Sequence, residues 1–271
     1  QECSWYRRIN FFFNMVDAKK YFLLILIFLF ACSNVGDTFS VDIQKKYDKG
    51  MKLFNKGKYT RAREQFEFIV MNNPGSKISI DAQFYLAESM YENDNFIEAN
   101  SAYSKYIRWS TDPQRIENAR YKIANCAVNS VNKYQLDQSE AKVALSLLQD
   151  FIDDYPYSKF VQNSDDLVND LRNKLAQKEY ETARMYIKLE KYSAAIIYLN
   201  EVISNFYDTL FYEKAHLGIM LCYSLNNDND LLNEYYQENI NQIKIDENIL
   251  MAEKIKNNNL SSLEFFKHIY R

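Results

Sequence analysis

The chain has 271 residues, with 33 Lys and Arg against 36 Asp and Glu, for a net charge of −3. That balance argues against nucleic acid as the main partner. Five glycines, three prolines and the lack of sustained strand-like alternation leave an all-α chain of one or two domains.

Residues 1–14 begin without Met and fit nothing that follows, so they read as a non-native upstream extension, and Met15 reads as the start. In residues 15–31, Lys19 and Lys20 precede the apolar run Tyr21–Phe30. That run is too short for a bilayer span, which needs about 20 residues, and has the flanks of a signal peptide. It ends in Leu29-Phe30-Ala31-Cys32, which resembles a bacterial lipobox: a branched aliphatic, a small residue, then the cysteine whose thiol carries the lipid. The resemblance implies lipid attachment at Cys32. Ser33 follows where an Asp would favour inner-membrane retention in such lipoproteins, which points to the outer membrane. An ordinary signal peptide with a spare cysteine is the competing reading. Residues 32–41 read as a tether.

From Ile43 the chain repeats itself. Gly50, Ala62, Phe66 and Pro74 occupy positions 8, 20, 24 and 32 of a unit of about 34 residues. Small residues at the first two positions allow a close helix crossing, the aromatic fills the wedge beside it, and the proline ends the second helix. Gly57 suits the left-handed C′ position between the helices. Ala87, Ala99 and Tyr103 repeat the spacing. So do Ala144, Leu148 and Pro156, then Ala183, Ala195 and Leu199, and a fifth unit opens at Leu217-Gly218. This resembles the tetratricopeptide repeat and predicts an α-solenoid of about five helical hairpins over residues 42–240, divided into N-terminal repeats (42–113) and C-terminal repeats (114–240). Residues 164–189 lack Gly and Pro and read as one long helix leading into the fourth repeat; residues 241–271 read as a helical tail.

No catalytic constellation is visible, and no cofactor or metal is implied. The cysteines Cys3, Cys32, Cys126 and Cys222 form no CxxC. His216 and Cys222 lie six apart on one helix, hence on different faces, and read as packing residues rather than a nucleophile pair. Cys126 and Cys222 belong to non-adjacent repeats and read as buried thiols rather than a disulfide. In repeats of this kind the first helices line a groove, with positions 5 and 12 facing it. Those positions hold Tyr47 and Phe54 in the first repeat, Phe84 and Tyr91 in the second. The competing reading is packing against a neighbouring helix. Helix crossing is served by the small residues, so the four aromatics are expected to be available as anchors for an extended peptide.

A lipobox followed by about five such repeats resembles the BamD family of β-barrel assembly lipoproteins. The stretches that carry it run from Phe54-Asn55-Lys56-Gly57-Lys58-Tyr59 through Asn72-Asn73-Pro74-Gly75-Ser76, and from Leu175-Ala176-Gln177-Lys178-Glu179-Tyr180 through Asn205-Phe206-Tyr207-Asp208-Thr209. Tyr207 departs from the family, which commonly has a helix-ending proline there. The resemblance implies a non-enzymatic scaffold, lipid-anchored on the periplasmic face of the outer membrane. Its partners would be nascent outer-membrane β-barrel proteins and the POTRA domains of the barrel-forming assembly protein. The alternatives are another periplasmic repeat lipoprotein in envelope maintenance or cell division and, more remotely, a repeat-regulated hydrolase.

Overall fold

The computed structural model describes residues 35–131 and 138–257, and its described residues are helices joined by turns, without strands. The helices are α1 (Val35–Phe54), α2 (Tyr59–Asn72), α3 (Lys77–Tyr91), α4 (Phe96–Trp109), α5 (Pro113–Ser130), α6 (Gln138–Asp154), α7 (Val161–Lys188), α8 (Tyr192–Asn205), α9 (Tyr212–Leu225), α10 (Asn229–Asn239) and α11 (Asp246–Lys256), with a single 3-10 turn at Ile240–Gln242. Cys32 and the segments 1–34, 132–137 and 258–271 lie outside the described residues. The chain divides into two units, Gln1–Asp112 and Pro113–Arg271. The first holds two helical hairpins (α1–α2 and α3–α4). The second holds three (α5–α6, α7–α8 and α9–α10), followed by α11. The fold is all-α and tetratricopeptide-like, as the spacing of small residues predicts.

Those small residues sit where helices come closest. Ala62, Ala87, Ala99, Ala144, Ala183 and Ala195 have no exposed surface. A Cβ added to Gly50 would stand 2.7 Å from Cε1 of Phe66, and one added to Gly218 would stand 3.0 Å from both Cδ atoms of Leu199. Interiors packed at crystal-like density leave little slack for such an atom, and least at Gly50. In both cases the large residue is the one that fills the wedge at position 24, so the glycine and its partner are a matched pair.

Four of the five hairpin turns are the same device. Gly57, Asp94, Glu190 and Asn227 all have positive φ, at 68°, 59°, 56° and 62°. In each, the residue's own N–H bonds a carbonyl three residues back: Phe54, Tyr91, Ile187 and Ser224. The next N–H bonds a carbonyl five back: Leu53, Met90, Tyr186 and Tyr223. This is the Schellman closure, which satisfies the last carbonyls of the first helix while reversing the chain. The fifth turn, between α5 and α6, falls outside the described residues.

The long helix α7 serves two cores. Its first half contributes Leu171 to a cluster with Ala124, Ala144 and Leu148 of the third hairpin. Its second half contributes Ala176, Tyr180, Ala183 and Ile187 to the core built with α8, α9, α10 and α11. It also explains how α8 ends without a proline. Arg172 donates from Nε and Nη2 to the two carboxylate oxygens of Asp208, at 2.7 and 2.6 Å, and from Nη2 to the carbonyl of Asn205 at 2.7 Å. Next to it, Asn173 Oδ1 accepts from the Leu210 N–H at 3.0 Å. The bidentate hydrogen bonds raise the Arg172 pKa and lower that of Asp208, with burial opposing both. Tyr207 is left outside this clasp and is 67% exposed.

The turn geometry makes opposite predictions for two substitutions. Gly57→Ala places a Cβ on a left-handed residue and is expected to lower stability by about 1 kcal/mol. Glu190→Gly relieves the same conflict and is expected to be neutral or stabilising by up to about 1 kcal/mol. Urea midpoints at constant m-value check both. A loss of about 1 kcal/mol for Glu190→Gly, as for glycine inside a helix, would show that the turn is not left-handed.

Candidate functional site: the aromatic face of the first two hairpins

The aromatics singled out by spacing come together, in a duplicated arrangement. Tyr47 meets Phe66 edge-on at 5.9 Å and 65°, and the equivalent pair Phe84–Tyr103 lies at 6.2 Å and 69°. Phe54 meets Tyr59 at 5.3 Å and 67°, and the equivalent pair Tyr91–Phe96 lies at 5.6 Å and 76°. Each hairpin is thus clipped twice by an aromatic of its first helix set against one of its second. This corrects the expectation that packing does not need these rings. All four are half-buried, and each contributes an edge to a hairpin interface.

The residue that joins the two hairpins is Tyr85, which spacing did not single out. Its ring stacks on Phe66 at 5.7 Å and 26°, and meets Tyr47 at 6.3 Å, Phe54 at 5.6 Å and Phe84 at 5.6 Å. Its signal in the sequence is its place directly after Phe84. On a helix, successive residues point about 100° apart, so Phe84 and Tyr85 together cover the face toward the second helix of their own hairpin and the face toward the preceding hairpin. The result is a half-buried aromatic face on the first helices, with Glu88 on its border. Tyr103 reaches this border, donating its hydroxyl proton to Glu88.

His216 and Cys222 are both buried on α9, at 2% and 0% exposure. His216 Nδ1 lies 2.8 Å from the Tyr235 hydroxyl, and its ring meets Tyr212 edge-on at 4.9 Å. Burial lowers its pKa to about 4, with Glu213 opposing, and burial raises the Cys222 thiol to about 12. Near neutral pH both are uncharged, the reverse of the thiolate–imidazolium state that a Cys–His nucleophile pair uses. Cys126 and Cys222 are buried thiols, not joined to each other. Glu213 has a separate role, accepting from the backbone N–H of Lys244 and Ile245 and from Asn248 Nδ2, and so holding the start of α11. Among the described residues no group of His, Cys, Asp and Glu is arranged to hold a metal ion. Nor is any described helix long and apolar enough to cross a membrane.

Comparison with known proteins gives the family of the chain. A family profile described as "YfiO: Outer membrane lipoprotein" matches residues 40–237, most of the chain and nearly all of both units' described hairpins. The chain belongs to this family. Proteins named outer membrane protein assembly factor BamD are similar to it. That of Rickettsia prowazekii is 28% identical over 75% of this chain and 82% of its own length, and that of Vibrio cholerae is 24% identical over 69% and 82%. That of Neisseria gonorrhoeae is 22% identical over 67% and 72%. The BamD resemblance read from the repeats is therefore borne out. Among solved structures, the TPR2AB-domain:pHSP90-complex of yeast Sti1 is 13% identical with a TM-score of 0.44, covering 80% of this chain and 82% of that one. The P58(IPK) TPR domain is 16% identical with a TM-score of 0.42, covering 81% and 57%. At those scores the fold rests on the chain's own helices.

The His216 environment predicts a pH dependence. A folded pKa near 4 against about 6.5 unfolded means that the unfolded chain binds the proton first. Stability from this site is therefore full above about pH 6.5 and falls as pH drops toward 4. Urea unfolding of wild type and His216→Gln should diverge in slope across that window, the wild type losing more. Parallel curves would mean that His216 is protonated in the folded protein.

Proposed function

We propose that this chain is an assembly factor for outer-membrane β-barrel proteins, acting as a binding scaffold without catalysis, cofactor or metal. The observation that carries the reading is the family match across residues 40–237, together with relatives named for that role. In this proposal Cys32 carries the lipid and holds the chain on the periplasmic face of the outer membrane. The aromatic face around Tyr47, Phe54, Phe84 and Tyr91 receives extended segments of unfolded barrel proteins. The C-terminal hairpins dock on the POTRA domains of the barrel-forming partner. Half-buried rings suit the first task, because their inner edges are fixed by packing and their outer edges can accept apolar side chains with little loss of rotamer freedom.

Two experiments test the parts separately. Cys32→Ala should abolish incorporation of labelled palmitate and release the protein from membranes; unchanged incorporation would rule out Cys32 as the lipid site. For the aromatic face, a labelled peptide with the alternating pattern of a terminal barrel strand is titrated against wild type and Phe54→Ala/Phe84→Ala. Anchors of this kind are expected to cost about 2 kcal/mol each on truncation, a loss of roughly thirtyfold per site. Both rings also pack, so the alanine pair is expected to melt lower, and Phe54→Leu/Phe84→Leu serves as the better-packed control. Equal affinity for all three proteins would place peptide binding elsewhere.

A further inference from the structure

A cleft in the first unit adjoins the aromatic face through Tyr106, whose ring meets Phe84 at 5.1 Å, and is lined by none of the four groove aromatics themselves. This cleft, of about 460 Å³, is bounded by the end of α2 and its turn (Val70, Pro74 and Gly75), the start of α3 (Ser79, Ile80 and Gln83) and the end of α4 (Lys105, Tyr106, Arg108 and Trp109). Its walls are apolar. Trp109 forms one of them and is 69% exposed, a large ring held open to solvent. Lys105 and Arg108 stand exposed on the rim, and neither has an ion-pair partner among the described residues. In a chain of net charge −3, two cations one helical turn apart without a counter-charge make a local positive rim. The N-terminus of α3, which carries no acidic residue in its first turn, adds to the same potential.

The buried polar group at the cleft narrows the occupant. Gln83 is 8% exposed, and its Nε2 donates to the Ala102 carbonyl at 2.9 Å, which leaves Oε1 as the acceptor that this side chain offers. A mostly buried amide among the lining residues, apolar walls and cations at the rim match a peptide that offers an N–H, an apolar side chain and a carboxylate. An acyl chain has no donor for Gln83. We propose that this cleft binds an acidic peptide segment of a partner protein, with an apolar side chain beside Trp109 and the following carboxylate between Lys105 and Arg108.

The test uses the full chain and fluorescein-labelled peptides with a Leu-Asp core, compared with Leu-Asn and Gly-Asp cores, read by polarisation. The Leu-Asp peptide should bind with an affinity that falls as salt rises. Replacing its carboxylate by the amide, or making Lys105→Glu/Arg108→Glu, should weaken it about tenfold; Trp109→Ala and the Gly-Asp peptide should weaken it similarly. These side chains are exposed, so the variants should keep the wild-type circular dichroism and melting temperature. Phe54→Leu, whose ring meets Tyr59 and Tyr85 and no residue lining the cleft, should bind the Leu-Asp peptide normally, which separates this site from the groove. The proposal is overturned if no peptide binds up to millimolar concentration, if Leu-Asn binds as well as Leu-Asp, or if charge reversal has no effect. It is equally overturned if phosphatidylglycerol vesicles displace the peptide and lose binding to the charge-reversed variant, because the rim would then be a lipid-headgroup site.

Discussion

The structure depends on how closely its helices cross. A helix carrying a large side chain at the crossing point keeps its neighbour at the usual 8–10 Å, whereas Gly and Ala let the backbones approach and leave the large residue to fill the wedge beside them. Gly50 against Phe66 and Gly218 against Leu199 show the constraint at its tightest: an added carbon would clash with the Phe66 ring and would push the Leu199 methyls aside. Because each hairpin leaves one face of its wedge open, the next hairpin within the same unit covers it.

Reversing direction between two close helices needs one residue in the left-handed region, and the chain meets that need with four different amino acids. Only Gly57 adopts the conformation without steric cost. Asp94 and Asn227 tolerate it better than most L-residues, and Glu190 has no such local advantage. The backbone bonds are the same in all four turns, so the geometry is imposed by the two helices that each turn must join. The stop after α8 follows the same logic. Proline ends α2 by its own covalent chemistry, whereas α8 ends because Arg172 and Asn173, on another helix, hold the residues beyond it.

In the aromatic face the observed packing role is compatible with the binding role proposed for it. Rings fixed edge-on against a second helix are rigid, and rigid rings make better anchors than flexible ones because less entropy is lost on contact. The cleft at Trp109 follows a different design, with an exposed ring, a buried amide and two cations.

The five-hairpin pattern, its register and the long helix before the fourth repeat were legible in the sequence, because each depends on local properties: residue size at fixed spacing, proline and glycine chemistry, and the absence of breakers across residues 164–189. The same spacing brought out Tyr47, Phe54, Phe84 and Tyr91 as a set. What it could not supply was the second side of each contact. That these rings clip their own hairpins, that Tyr85 joins one hairpin to the next, and that Arg172 substitutes for a proline at Tyr207 all involve partners far along the chain. Such pairings are chosen by which side chains face each other once the helices have packed, and a helical period records only which face of a helix is apolar, not what that face will meet.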